Sequence, residues 1–449
     1  MMVFIAMFLV FLLVVGCYLS RNMGPLSPPF FFSVVGLLYF AIPLNIIVLI
    51  GYETDFYYVT ERGLLSAVWI FIFYYLITYF VSFGLVSLFS PVNINEFNVG
   101  VERRYVLIIC TIFLALSAIA KVYLISSGMY FLENKYSDLH DLNVPGIVKY
   151  LNNIQLFSLV ITSVYLVLDY KVAGRINIRT FLFKLFAITF LYSVFFALLQ
   201  GRRFGVIFPF IVLFLVYYYL IGVKFRSLLK LSVVALIFFM FITVFRLAQA
   251  SVFAGDSGSG FSDVFSYIFS DRIFYIFGGV VDSVVSRIGN SLIVLAHVSD
   301  LRNEFNWSST FNTFELILSS LVPSVFWPDK PDTSIGNAFG REIFLISPNN
   351  YFTKINPGWV GEFYYNGFYQ MVFGGIFMSI LSSLYYCFLV RGRGVLGSVL
   401  FVQYFIFIFS GFQMEVSFSI NVLFKSTIVI AAVFFLSRFV VMRARMIKG

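Results

Sequence analysis

Apolar runs of about 20 residues recur along almost the whole of this 449-residue chain. That spacing leaves few folds open, because a helix of ~20 residues matches the hydrocarbon core of a bilayer. Within lipid only helices and closed barrels satisfy every backbone group, and the alternating pattern of barrel strands is absent. Composition agrees. Apolar residues make up 61% and charged residues 11%, against about 25% charged in a typical soluble domain. With a mean hydropathy of +0.95, the chain carries more apolar surface than one water-soluble globule could bury. Disorder, a disulfide scaffold and a nucleic-acid binder are excluded on the same grounds. Cys17, Cys110 and Cys387 all lie within apolar runs. They read as small core residues, neither bridges nor metal ligands. The first run lacks a basic flank and a small-residue cleavage site, so it is expected to remain as a first span.

Spans are expected at about 2–20, 30–50, 64–90, 105–125, 148–168, 181–200, 204–222, 230–247, 366–390, 396–411 and 420–437, eleven in all. The expected fold class is therefore an all-α, polytopic membrane protein. Three parts follow: helices one to eight over 1–247, an outer loop region over 248–365, and helices nine to eleven with a basic tail over 366–449. Charge sets the sidedness. With the N-terminus outside, the inner segments hold sixteen of the 30 basic residues, including the clusters Lys171–Lys184, Lys224–Lys230 and Arg438–Lys448. Only Glu96, Glu102 and Asp169 share that side. The C-terminus is then cytoplasmic.

The stretch 248–365 interrupts the pattern. Residues 271–298 are moderately apolar but carry Asp271, Arg272, Asp282, Arg287 and His297. At ~100° per residue these fall on one face, which suits a membrane surface or the wall of a wet cavity. A short helix is expected from Phe311 to Phe326, followed by an irregular, turn-rich stretch to Trp359. If 271–298 and 311–326 both span, the count rises to thirteen. No internal repeat is visible, which gives an inverted-repeat transporter no support.

Catalytic signatures are scarce. There is no Walker A loop, HExxH or Cys/His cluster, and the only histidines are His140 and His297, so no metal site is expected. What stands out is arginine on the outer side: Arg202 and Arg203 between helices six and seven, Arg246 near the end of helix eight, and Arg272, Arg287, Arg302 and Arg341 in the loop region. The positive-inside bias disfavours these positions. Guanidinium binds phosphates and carboxylates through paired hydrogen bonds, so the pattern points to an anionic lipid head group. The plainer alternative is salt bridges to the outer acids. Trp307, Trp327, Trp359, Tyr364 and Tyr365 provide faces for sugar stacking, or simply an interfacial belt. Glu362, in Asn356-Pro-Gly-Trp-Val-Gly-Glu-Phe-Tyr-Tyr-Asn-Gly just before helix nine, is the first candidate for proton transfer, because burial would raise its pKa. The same carboxylate could instead cap that helix. Asp282 and His297 are the second and third candidates.

The arrangement resembles the Wzy-type O-antigen and repeat-unit polysaccharide polymerases. The matching residues are Gly201-Arg202-Arg203 at the outer start of a middle helix, Leu321-Val-Pro-Ser-Val-Phe-Trp-Pro-Asp-Lys-Pro-Asp, Gly336-Asn-Ala-Phe-Gly, and Pro357-Gly-Trp-Val-Gly-Glu-Phe-Tyr-Tyr-Asn-Gly. The motifs cover about a tenth of the chain. The resemblance implies a membrane glycosyltransferase of the class C type in the bacterial inner membrane, active on its periplasmic face. It would transfer a glycan from undecaprenyl pyrophosphate to the non-reducing end of a new lipid-linked unit and release undecaprenyl pyrophosphate. No metal or other cofactor is implied. The partners implied are the two lipid-linked oligosaccharides, membrane lipid and a chain-length regulator, with no nucleic acid. Arg202, Arg203, Arg246, Arg272, Arg287 and Arg341 would take the pyrophosphate, and the aromatic residues named above would take sugar. The competing expectations are an O-antigen ligase and a flippase or exporter of lipid-linked oligosaccharide.

Overall fold

A computed structural model describes residues 2–23, 27–50, 60–89, 99–127, 146–199, 203–221, 244, 289–302, 312–322, 327, 335–349, 354–390 and 394–446. Among these residues there is no strand. Eight helices are long and apolar enough to cross a membrane: Met2–Met23, Pro28–Val48, Glu61–Leu88, Arg103–Ser126, Tyr150–Ala173, Phe181–Leu198, Phe368–Phe388 and Val416–Ser437. Two shorter apolar helices run over Gly205–Ile221 and Val395–Gly411. The chain is thus an all-helical, multi-pass membrane protein. The expected span at 230–247 lies outside the described residues apart from Val244. The other expected spans each fall on one of these helices.

In chain order the helices are α1 (Met2–Ser20), α2 (Pro28–Gly36), α3 (Ile42–Ile50), α4 (Glu61–Leu88), α5 (Val99–Ser126), α6 (Gly146–Asn153), α7 (Gln155–Ala173), α8 (Phe181–Leu199) and α9 (Arg203–Ile221). After them come α10 (289–302), α11 (Thr313–Leu321), α12 (Gly336–Glu342), α13 (Gly358–Asn366), α14 (Phe368–Tyr385), α15 (Gly394–Gly411) and α16 (Val416–Met446). Residues 37–41 form a π-helical turn that carries α2 into α3. Local chemistry sets several ends. Thr60 caps α4 by accepting from the Gly63 N–H at 2.9 Å. Gly174, at φ +65°, ends α7 in the left-handed conformation that glycine adopts without strain.

The chain forms two compact units of non-contiguous segments. Unit 1 comprises Met1–Asn95, Val285–Arg393 and Gln403–Val429. Its centre is the packing of α4 on α14, where Gly375 admits the Tyr74 ring and Ser379 Oγ donates to Thr78 O at 3.2 Å. Phe40 and Phe71 stack beside it at 3.8 Å. A second core joins Val294, Val298, Phe339, Ile343, Ile346, Ile355 and Tyr365. It turns 289–302, 335–349 and 354–366 into a packed lobe. Unit 2 comprises Glu96–Val284, Gly394–Val402 and Ile430–Gly449. Here α7 packs against α5, α8 and α9, with Ser158 Oγ donating to Cys110 O at 2.8 Å.

Three sequence expectations for the loop region change. The described end of 271–298 is packed in protein rather than lying on a surface: Leu292, Ile293, Val294, Leu295, Ala296 and Val298 are all buried, while 271–288, which carry most of the expected polar face, lie outside the described residues. A helix that is apolar on nearly every face buries itself in protein. The helix expected over 311–326 ends at Leu321, and 323–326 lie outside the described residues. The stretch towards Trp359 is not wholly irregular, since it contains α12 and the start of α13.

Candidate functional site

The chemistry of unit 1 gathers where α13 meets the turn 412–415 between α15 and α16. Two glycines permit the approach. Gly358 sits at φ +66°, and a Cβ there would run into the Phe412 carbonyl. Gly411 lies against the Trp359 ring, which packs on Phe407 at 4.9 Å and on Phe412 at 5.7 Å. Ser291 Oγ donates to Phe412 O from α10, and Asn290 Nδ2 donates to Asn356 O at 3.2 Å.

This packing encloses Glu362 completely, at 0% exposure. Its Oε2 accepts the Val416 N–H at 2.7 Å, so the carboxylate caps α16. The sequence had offered α14, the helix that follows Glu362, for that role. A carboxylate is favoured there because the first amides of a helix are unsatisfied and carry the positive end of its dipole. The other oxygen, Oε1, is buried without a hydrogen bond among the described residues. Burial pushes the Glu362 pKa from 4.5 up to about 8. The Val416 N–H works against the rise, repulsion from Glu415 adds to it, and the nearby Thr313 hydroxyl softens it without making a well-formed bond to Oε1. Asn366 holds Thr313 in place: its Nδ2 donates to Thr313 Oγ1 at 2.8 Å and to Glu362 O at 2.9 Å.

Glu415, at 4% exposure, is a second buried acid that sequence reasoning missed. Its Oε1 accepts the Gly336 N–H and so caps α12. A Cβ on Gly336 would lie 2.7 Å from that oxygen and 2.8 Å from Asn356 Oδ1. The available signal was position: Glu415 immediately precedes a long apolar helix. The same logic recurs twice more. Asp300 accepts Thr60 N–H at 3.2 Å and Thr60 Oγ1–H at 2.8 Å at the start of α4. Arg302 donates to Tyr364 O at 2.6 Å and Tyr365 O at 2.9 Å at the end of α13. Its guanidinium also lies 5.3 Å from the Tyr364 ring centre. The sequence marked Arg302 as an outer arginine, but nothing local revealed its carbonyl partners.

The other sequence candidates are dispersed. His297 Nε2 bonds Ile343 O at 2.8 Å. A carbonyl can only accept, so that nitrogen carries the proton. Arg341 is half-buried on α12. Trp359 and Tyr365 are core residues at 0% and 1% exposure and present no free face to a sugar. Tyr364 is half-buried and Trp327 is exposed. Arg203 opens α9, with its side chain outside the described atoms. Arg202, Arg246, Arg272, Asp282, Arg287 and Trp307 lie outside the described residues. No three His, Cys, Asp or Glu side chains cluster as metal ligands among the described residues. The three cysteines are free.

Comparison with known proteins returns no matching family model, no matching curated protein and no matching solved structure.

Proposed function

We propose that this protein polymerises lipid-linked oligosaccharide repeat units at the outer face of a bacterial inner membrane, as the Wzy-type polymerases it resembles do. The acceptor hydroxyl attacks C1 of the donor glycan, and the bond from C1 to the pyrophosphate breaks. The hydroxyl proton passes to Glu362, and undecaprenyl pyrophosphate leaves with the electron pair. Outer arginines offset its developing charge. Arg341 shares a unit with Glu362; Arg202, Arg203, Arg246, Arg272 and Arg287 are candidates by residue type and sidedness. The reaction needs no metal or cofactor, and a chain-length regulator is the expected protein partner.

One observation carries this reading. Glu362 is enclosed, has one oxygen without a hydrogen bond among the described residues, and has its pKa pushed up to about 8. A carboxylate raised that far is a stronger base than an exposed one, and it lies in the segment that bears the family-like motif. Acceptor access requires the turn 412–415 to move away from α13.

The test is surface-polysaccharide gel profiling of a deletion strain, complemented with wild type, Glu362→Gln or Arg202→Ala. A polymerase gives collapse of the ladder to a single capped unit on deletion. Glu362→Gln should cut polymer formation by ~10²–10⁴-fold at unchanged protein level, and Arg202→Ala should also fail. Loss of even the single unit would identify a flippase or a ligase instead. A full ladder from Glu362→Gln would remove Glu362 from the chemistry.

A further inference from the structure

Unit 2 contains an ordered surface that the proposed reaction does not use. One membrane-crossing helix ends at Ala173 and the next begins at Phe181, so residues 174–180 alone join α7 to α8. A connection that short stays near the head-group layer, because each residue adds at most about 3.6 Å of reach. Its path is fixed locally. Gly174 turns the chain at φ +65°. The Arg179 N–H donates to Asn177 Oδ1 at 3.1 Å, and Thr180 Oγ1 donates to Asn177 O at 2.8 Å. Thr180 Oγ1 also accepts the Phe183 N–H at 3.3 Å as α8 begins.

The side chains presented there are mainly of two kinds. Lys171, Arg175, Arg179 and Lys184 are exposed cations. Interleaved with them are Val172, Ile176, Ile178 and Phe181, which are exposed as well, Val172 at 88% and Ile178 at 66%. The nearest acid, Asp169, has both oxygens taken by Arg103, at 2.7 and 2.6 Å. No other acid occurs in the sequence from 170 to 255, and among the described residues none of the four cations makes an ion pair. Water around this connection would leave the apolar side chains wet, and a neutral surface would leave the charge unanswered. An anionic lipid surface meets both needs, since phosphates pair with ammonium and guanidinium groups while the acyl boundary takes the apolar bodies. We propose that the α7–α8 connection is a binding surface for anionic phospholipid head groups. Lys171, Arg175, Arg179 and Lys184 hold the phosphates, and Val172, Ile176, Ile178 and Phe181 enter the acyl boundary.

The experiment reconstitutes the full chain in phosphatidylcholine bilayers and compares its association with spin-labelled phosphatidylglycerol and spin-labelled phosphatidylcholine. Wild type should prefer phosphatidylglycerol, and the preference should shrink as NaCl screens it. Lys171→Gln/Arg175→Gln/Arg179→Gln/Lys184→Gln should lower the preference by about fivefold or more, since one basic residue beside an anionic surface is worth about that factor. Lys171→Arg/Lys184→Arg, which keeps the charge, should keep the preference. Should the fourfold variant not fold, Arg175→Gln/Arg179→Gln, with both changes in the connection outside the helices, is read in its place and should lower the preference in the same way. Inorganic phosphate should displace no more phosphatidylglycerol than NaCl of equal ionic strength does. The proposal is overturned if the protein stripped of these charges keeps the wild-type preference. It is also overturned if inorganic phosphate displaces the lipid beyond the NaCl control, which would mark a site for free phosphate instead of a lipid surface.

Discussion

The two units hold their ionisable side chains by different means. Unit 1 places its charges at helix ends. Glu362 caps α16, Glu415 caps α12, Asp300 holds Thr60, the cap of α4, and Arg302 closes α13. Unit 2 places its charges along helix flanks. Arg103 grips Asp169 with two bonds of 2.7 and 2.6 Å, and Lys121 donates to Asn152 and Ser117. Backbone amides and carbonyls answer charge in the first unit; in the second, a carboxylate answers Arg103, and the Asn152 carbonyl together with side-chain oxygens answers Lys121. A cap ties the charge to the position of a whole helix, whereas a flank pair ties it to one side chain. Substitutions in unit 1 should therefore disturb helix ends, and those in unit 2 should stay local.

The largest expected effect comes from reversing a cap. Glu362→Lys would put an uncompensated cation, enclosed by protein, against the positive end of α16, at a cost of about 3–5 kcal/mol. Loss of monodisperse protein on size-exclusion is the expected readout. A well-folded Glu362→Lys would show that the cap contributes little. Next is Arg302→Ala, which strips two charge-assisted bonds from carbonyls at the end of α13. A drop of about 1.5–3 kcal/mol is expected in detergent melts, with partial recovery in Arg302→Lys. Equal melting of Arg302→Ala and wild type would break the contrast between units.

A pH series sharpens it further. The folded-state pKa of Glu362 lies above its ordinary value, so its stabilising contribution is present below pH 4.5 and is lost as pH rises through about 8. Wild type should lose melting temperature across that window relative to Glu362→Gln, while catalysis that uses Glu362 as base should rise through the same window. Parallel melting curves for the two proteins would contradict the raised pKa. The smallest effect belongs to unit 2. Arg103 and Asp169 are partly exposed, at 27% and 36%, so Arg103→Ala should cost only ~0.5–1 kcal/mol and less at high salt.

Much of the scaffold was legible in the sequence, because the signal for a span is local. Residues 2–20 or 181–200 declare a helix by apolar length alone. The burial of Glu362 was legible too, from an acid set among glycines and aromatics before a late span. Its partner was not. The Val416 N–H lies 54 residues on, Gly336 lies 79 residues from Glu415, and Asp300 reaches Thr60 across 240 residues. Nothing in Trp359 itself separated an interfacial ring from a core ring, since both want an apolar body beside a polar edge. Lys121 sat unremarked within an apolar run because the broken helix that receives it lies 31 residues away.

The sequence by itself determined that the chain is helical and multi-pass, since bilayer thickness and backbone satisfaction act on each segment separately. Only the tertiary structure decided which acid caps which helix, which aromatic rings are core, and that Lys121 meets the Asn152 carbonyl just before α7. Those outcomes depend on side chains distant in sequence meeting at one point, and the cost of leaving a buried polar group unanswered then selects the pairing.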